Sequence, residues 1–282
     1  MSRRGDALDP RLMLARPDLA AASLEGIVSA GRYEPSRPMR VTAPLAPFRR
    51  APDPAGELVD ELLYGEAFEA LADDGGFVWG QARRDGCVGF VPAAALAPAS
   101  GSPTHRVAAI STDAFATPSI ETTATGPFSL NALVRIEAED GPFGRAADGG
   151  WFRMEHLAPI GRFERDPALV AERFVAAPYL QGGRTSAGLD AAALIQQAHY
   201  ACGRGFPRDA DQQIAEGREI GRGELARGDL VGWRGHIGLL LDAGLLIHAS
   251  PAHMAVAIEP LDEAIARNEA AGRGRTVFRR VY

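Results

Sequence analysis

Tyr179 to Leu194 read YLQGGRTSAGLDAAAL, and this stretch decides how the C-terminal part of the chain is read. Gly182, Gly183 and Gly188 mark a turn, because glycine supplies the backbone conformations that tight turns need. Asp190 then stands directly before a run of helix formers beginning at Ala191. An aspartate there accepts hydrogen bonds from the unpaired N–H groups of a helix's first turn, so the spacing predicts a helix that starts at Asp190 and ends near Gly203 and Gly205.

Upstream, Asp166 followed by Pro167 predicts a second cap, with Leu169, Val170, Phe174 and Val175 as its apolar stripe. Downstream come short apolar runs at 229–233, 236–241, 245–249 and 256–260, then a helix from Leu261 and a last strand over 276–282. Helix first and antiparallel sheet afterwards predicts an α+β domain over residues 168–282.

Towards the N-terminus the texture changes. After an irregular arm, 1–38, with a short helix expected near Pro17–Ala30, five short β-runs stand at 40–43, 57–64, 67–71, 77–82 and 87–91. The turns Asp73-Asp74-Gly75-Gly76 and Arg84-Asp85-Gly86 separate some of them, so residues 39–98 predict a small barrel. A linker, Pro98–Pro103, leads to a similar pattern over 104–160, with runs at 106–110, 133–138, 143–146 and 150–154. The endings also correspond, Gly89-Phe90-Val91-Pro92…Leu96 against Trp151-Phe152-Arg153…Leu157, which reads as a weak internal repeat.

Composition narrows the class. The net charge of -6 and the absence of any basic run argue against nucleic-acid binding. The apolar patch Leu12–Ala15 is cut by Arg16 and Pro17, too short for a signal-peptide core, and no stretch reaches membrane-spanning length. A soluble cytoplasmic protein is the expectation. Two cysteines, Cys87 and Cys202, suggest neither a disulfide framework nor a metal site, and no cofactor is expected.

The 179–194 stretch resembles the NlpC/P60 peptidase motif, Y-x-W-G-G followed by D-C-S-G-L. Gly235-His236-Ile237-Gly238 resembles that family's histidine motif, and Ile247-His248-Ala249 its third, polar member. Pro207–Gln213 and His253–Pro260 are similar to the subgroup with two bacterial SH3-like domains. The resemblance covers residues 40–282 and implies an α+β chain, two small SH3-like barrels followed by a papain-like NlpC/P60 domain. It also implies cleavage of the γ-D-glutamyl to diamino-acid bond in cell-wall peptides with a free N-terminal L-alanine.

In that motif a cysteine at a helix N-terminus is the nucleophile, its thiolate stabilised by unpaired N–H groups and the helix dipole. A histidine takes its proton and a polar group orients that histidine. Here Ala191 occupies the cysteine position, so His236 has no thiol to activate. Ala192, Ala193, Gln181 and Ala210 replace the family's serine, glycine, tryptophan and serine.

The resemblance implies ligand-binding roles for Tyr179, Asp190 and Asp209, the last holding the ligand's ammonium. It puts Cys87 where the family presents an aromatic side chain to the cleft. Read by themselves, Asp190 is an N-cap, Asp209 a solvated loop acid, His248 a satisfied histidine under a loop and Cys87 a buried small hydrophobe. The expected function is that of a catalytically inactive homologue that binds cell-wall peptides or a protein partner. The alternatives are a hydrolase using another nucleophile or a histidine-activated water, and an SH3-based scaffold with an inert α+β domain.

Overall fold

The computed structural model describes residues 8–281, and they divide into two compact units, one ending at Ser102 and the other starting at Pro103. The expected last strand's Tyr282 and the start of the N-terminal arm, residues 1–7, lie outside the described residues.

The first unit is built on a seven-stranded sheet: β1 Arg37–Val41, β2 Leu45–Arg49, β3 Leu58–Leu63, β4 Ala67–Asp74, β5 Phe77–Ala82, β6 Val88–Pro92 and β7 Leu96–Pro98, in the order β3-β2-β6-β5-β4-β1-β7. Its core gathers Val41, Phe48, Leu62, Phe68, Val78 and Val91. Strand β2 escapes the sequence pattern because Pro47 interrupts Leu45-Ala-Pro-Phe-Arg49. The missing N–H is tolerated because β2 pairs along its length with β3 alone and meets β6 only at Arg49↔Phe90.

The expected helix near Pro17–Ala30 is absent. Ala20–Ala21 instead pairs in parallel with Tyr33–Glu34, and Ala22–Leu24 is a single 3-10 turn. Leu14, Leu19 and Ala21, a spacing no helix face offers, pack with Leu71, Phe77, Trp79 and Phe90.

The second unit begins with short strands in two small sheets, 105–107 with 133–134 and 157–159, and 111–115 with 124–129, 136–140, 143–146 and 151–153. Ser111–Phe115 and Ala124–Ser129 are strands that the sequence pattern does not announce, since neither run is apolar enough to stand out. The small sheets share a core with the α+β part of the unit: Leu130 belongs to the cluster that holds Leu194 and Ile195, and Ile110 packs against it. Asn131 adopts a positive φ of 72° and points its buried amide into Gln197, donating to the Gln197 carbonyl (2.9 Å) and Oε1 (2.7 Å).

The α+β part contains α1 Pro167–Glu172, α2 Ala191–Ala201, α3 Ala210–Gln213 and α4 Leu261–Ala270. Its sheet comprises β8 Arg218–Glu219, β9 Leu230–Trp233, β10 His236–Leu240, β11 Leu245–Ser250, β12 Ala255–Pro260 and β13 Val277–Arg280, ordered β8-β13-β9-β10-β11-β12. All pairings are antiparallel, so the α+β expectation holds. Asp166 caps α1 through Ala168 N (2.9 Å) with Pro167 first in the helix. The expected stripe is corrected: Leu169 and Val175 are exposed, and Ala168, Val170, Ala171 and Phe174 face inward. Small side chains on that face let so short a helix pack closely on α2.

Candidate functional site

Helix α2 is buried over its whole length, so its orphan N-terminal N–H groups need protein partners. Asp190 supplies one, and it also ties the glycine turn to the helix start. Its backbone is extended, Oδ1 accepts from Ala193 N at 2.8 Å, and Oδ2 accepts from Gly182 N at 3.0 Å. Arg208 then donates to both oxygens, at 3.0 and 2.7 Å, and both side chains are buried. A bidentate guanidinium–carboxylate pair fixes orientation as well as charge. The glycine turn is equally determined, since a Cβ on Gly183 would come within 2.5 Å of the Gly188 carbonyl oxygen.

Ala191, the first residue of α2, carries only a methyl group and joins Ala192 and Ala193 in the core cluster. No nucleophilic or titratable atom stands at this position. Cys202 caps the other end of the helix, about 16 Å away at 1.5 Å per residue, and burial pushes its thiol up to about 11.

Tyr179 bridges to Leu189 in parallel, beside the cap. Its hydroxyl donates to Gln181 Oε1 at 2.7 Å, and burial, then the Asp190 charge, raises its pKa. Asp209 is half-buried at the start of α3. That short helix is fastened to the start of α2 by Arg208 and by Gln213, which donates to the carbonyls of Ala192 (2.8 Å) and Pro207 (2.7 Å). Tyr179, Asp190, Ala191 and Asp209 are therefore tied to one end of one helix. Cys87 belongs to the first unit, where it is buried among Val41, Phe48 and Val91.

His236 opens β10, the strand against which α2 packs, and its ring stacks on Trp233. Its Nε2 meets His248 Nδ1 at 2.8 Å. His248 Nε2 in turn faces Glu259 Oε1 at 2.7 Å, turned off the line of a good hydrogen bond, and Arg267 ion-pairs with the same carboxylate. Register explains the meeting: Leu246↔Glu259 and His248↔Ala257 put His248 and Glu259 diagonally on one face.

Burial, then the His248 charge, lowers His236 to about 3; burial, then Arg267, lowers His248 to about 3. Both rings are neutral near pH 7. Because a carboxylate only accepts, Glu259 favours the proton of His248 on Nε2. His248 Nδ1 then accepts from His236 Nε2–H, which leaves His236 Nδ1 as a bare acceptor.

Sequence reasoning alone assigns no role to Arg208, Gln213 or Glu259. Arg208 sits beside Asp209 in the Pro207–Gln213 segment, but a buried arginine and its partner 18 positions away leave no local signal. Glu259 needs the strand register before it can be linked to His248.

Comparison with known proteins places this geometry. Residues 48–96 match the bacterial dipeptidyl-peptidase SH3 domain and residues 176–275 match the NlpC/P60 family. Dipeptidyl-peptidase 6 of Lysinibacillus sphaericus is 33% identical over 112 residues, covering 39% of this chain and 41% of that protein. Gamma-D-glutamyl-L-lysine dipeptidyl-peptidase of Bacillus subtilis is 29% identical over 153 residues, covering 50% of this chain and 52% of that protein. The chain spans about half the length of the curated relatives it matches. A solved NlpC/P60 family protein from Bacillus cereus, 18% identical, superposes with a TM-score of 0.74 over 86% of this chain and 99% of its own, a likeness of fold.

Proposed function

This chain belongs to the NlpC/P60 family through its C-terminal domain, behind a bacterial dipeptidyl-peptidase SH3 domain, and on that premise we propose that it is a catalytically inactive homologue. Its parent activity is cleavage of γ-D-glutamyl-diamino acid bonds in cell-wall peptides, and its retained task is to bind such peptides or a protein partner in the cytoplasm.

One observation carries this reading. The helix start that would hold a thiolate is intact, capped by Asp190 and locked by Arg208, and the residue on it is Ala191. Without a nucleophile, acyl transfer loses the step that splits one difficult displacement into two easier ones. The ligand-binding part rests on Asp209, which stays tied to that helix end and carries the carboxylate that would meet a peptide ammonium.

The test is incubation with L-Ala-γ-D-Glu-diaminopimelate, followed by mass spectrometry and calorimetry. Binding without cleavage is the expected result, weakened about tenfold or more by Asp209→Ala, the loss typical of a charge-assisted hydrogen bond. Ordinary turnover would sink the inactive reading. Equal binding by both proteins would remove Asp209 from the site and move the weight to a protein partner.

A second reading has its own support. The chain Glu259–His248–His236 leaves a neutral imidazole with a bare Nδ1, able to accept a proton from water. Slow hydrolysis abolished by His236→Ala would favour it.

A further inference from the structure

We propose that His248, His253 and Glu259 form a divalent-cation site with the ligand set that suits zinc. One donor atom from each lies within 4.8 Å of the other two. Two imidazoles and a carboxylate are a common protein contribution to a zinc ion that keeps its fourth position for water. Spacing along the chain does not announce the site, since residues 248, 253 and 259 match no familiar metal-binding pattern.

The surroundings are those of a ligand set. Metal-bound histidines have their second ring nitrogen held by a polar group, which fixes the ring. His248 Nδ1 is held by His236 Nε2 at 2.8 Å, and His253 Nδ1 by the buried Ser250 Oγ at 3.0 Å. Each histidine therefore has its Nε2 left for a cation. His248 is 1% exposed, and its Nε2 lies 2.7 Å from Glu259 Oε1 without the alignment of a hydrogen bond, so a buried nitrogen and a buried oxygen converge without satisfying one another.

Zinc ligands at about 2.0–2.1 Å in tetrahedral array separate donor atoms by about 3.4 Å, so the third ligand must close in by up to about 1.4 Å while the His248–Glu259 pair opens by about 0.7 Å. His253 supplies that freedom. It is exposed on the turn between β11 and β12, which also gives the ion its way in. The opposing charge is Arg267, which shares Glu259 Oε1. Its side chain is 36% exposed and can swing into solvent, at a cost that weakens cation binding.

Occupation reverses the histidine relay. A cation on His248 Nε2 takes the lone pair there, so that ring's proton moves to Nδ1, which donates to His236 Nε2. The His236 proton then moves to its own Nδ1. No proton is gained or lost and both rings stay neutral, but the outer nitrogen of His236 changes from acceptor to donor. A carbonyl or carboxylate would then be held where only a donor was welcome before.

The inference goes beyond the proposed function and does not rest on it, because the readout is zinc binding to the peptide-free chain. Metal-stripped protein is titrated with zinc chloride against a chromophoric chelator, comparing wild type, His253→Ala and, as a histidine outside the ligand set on strand 105–107, His105→Asn, with circular dichroism to verify folding. One zinc per chain is expected in wild type and His105→Asn, with affinity reduced at least about tenfold in His253→Ala. Absence of binding in wild type, or equal binding by His253→Ala, overturns the site. In ¹⁵N-detected imidazole spectra, zinc should move the His236 proton from Nε2 to Nδ1; zinc binding with that tautomer unchanged overturns the relay reversal.

Discussion

At the scale of the residue, Ala191 and the pair Asp190–Arg208 can be tested separately. Replacing Ala191 by cysteine should give a thiol that iodoacetamide alkylates at least about tenfold faster than Cys202, because a capped helix start favours the thiolate and burial pushes Cys202 up to about 11. Peptidase turnover should nevertheless stay low, since Gln181 still holds the Tyr179 hydroxyl and a loosely oriented site forfeits most of its advantage. Mass spectrometry of time-quenched samples reads both. Breaking the lock by Arg208→Leu leaves a buried carboxylate without its bidentate partner, and a loss of about 3–5 kcal/mol is expected in urea unfolding. His199 supplies a pH test. Burial lowers it to about 4, so the folded state holds it neutral while the unfolded state protonates it below about 6.5. Stability from this group is present above pH 6.5 and is lost as pH falls towards 4, by roughly 2 kcal/mol between pH 7 and pH 5. The difference in denaturation midpoint between pH 7 and pH 5 should shrink accordingly in His199→Gln.

At the scale of the element, the glycine turn ahead of α2 is an unforgiving connection. Gly183→Ala would force a Cβ against the Gly188 carbonyl, and a destabilisation of about 1–3 kcal/mol is expected by thermal unfolding. This turn and its helix were legible in the sequence because their signals are local: glycines, a capping aspartate, then helix formers. Helix α1, β10 and β11 were legible for the same reason. Strand β2 was hidden by Pro47, and Ser111–Phe115 and Ala124–Ser129 by their polar texture, since only a partner strand reveals such runs. The candidate site divides in the same way. His236 and His248 stand in readable motifs, whereas Arg208 and Glu259 acquire their places through contacts 18 residues away and through sheet register. The stripe assigned to α1 held at Val170 and Phe174 and failed at Leu169 and Val175, because alanines occupy part of the inner face.

At the scale of the whole molecule, the sequence divides residues 104–160 from 168–282, whereas the structure groups everything from Pro103 onward. Asn131 is one reason: it reaches α2 with two hydrogen bonds from a buried amide, in a left-handed conformation that asparagine tolerates better than most residues. Asn131→Ala should cost about 2–4 kcal/mol. Residues 103–282 expressed alone should unfold in one cooperative transition, and residues 161–282 should lack it, because Leu130 and Asn131 complete the core around Leu194 and Gln197. Differential scanning calorimetry distinguishes these cases. The same amide bears on how such chains can be recombined. A crossover between 160 and 167 would hand α2 foreign strands with no group to meet Gln197, so a chimaera joined there would inherit a hole in its core. The small sheets from Pro103 must be passed on with the helix they support.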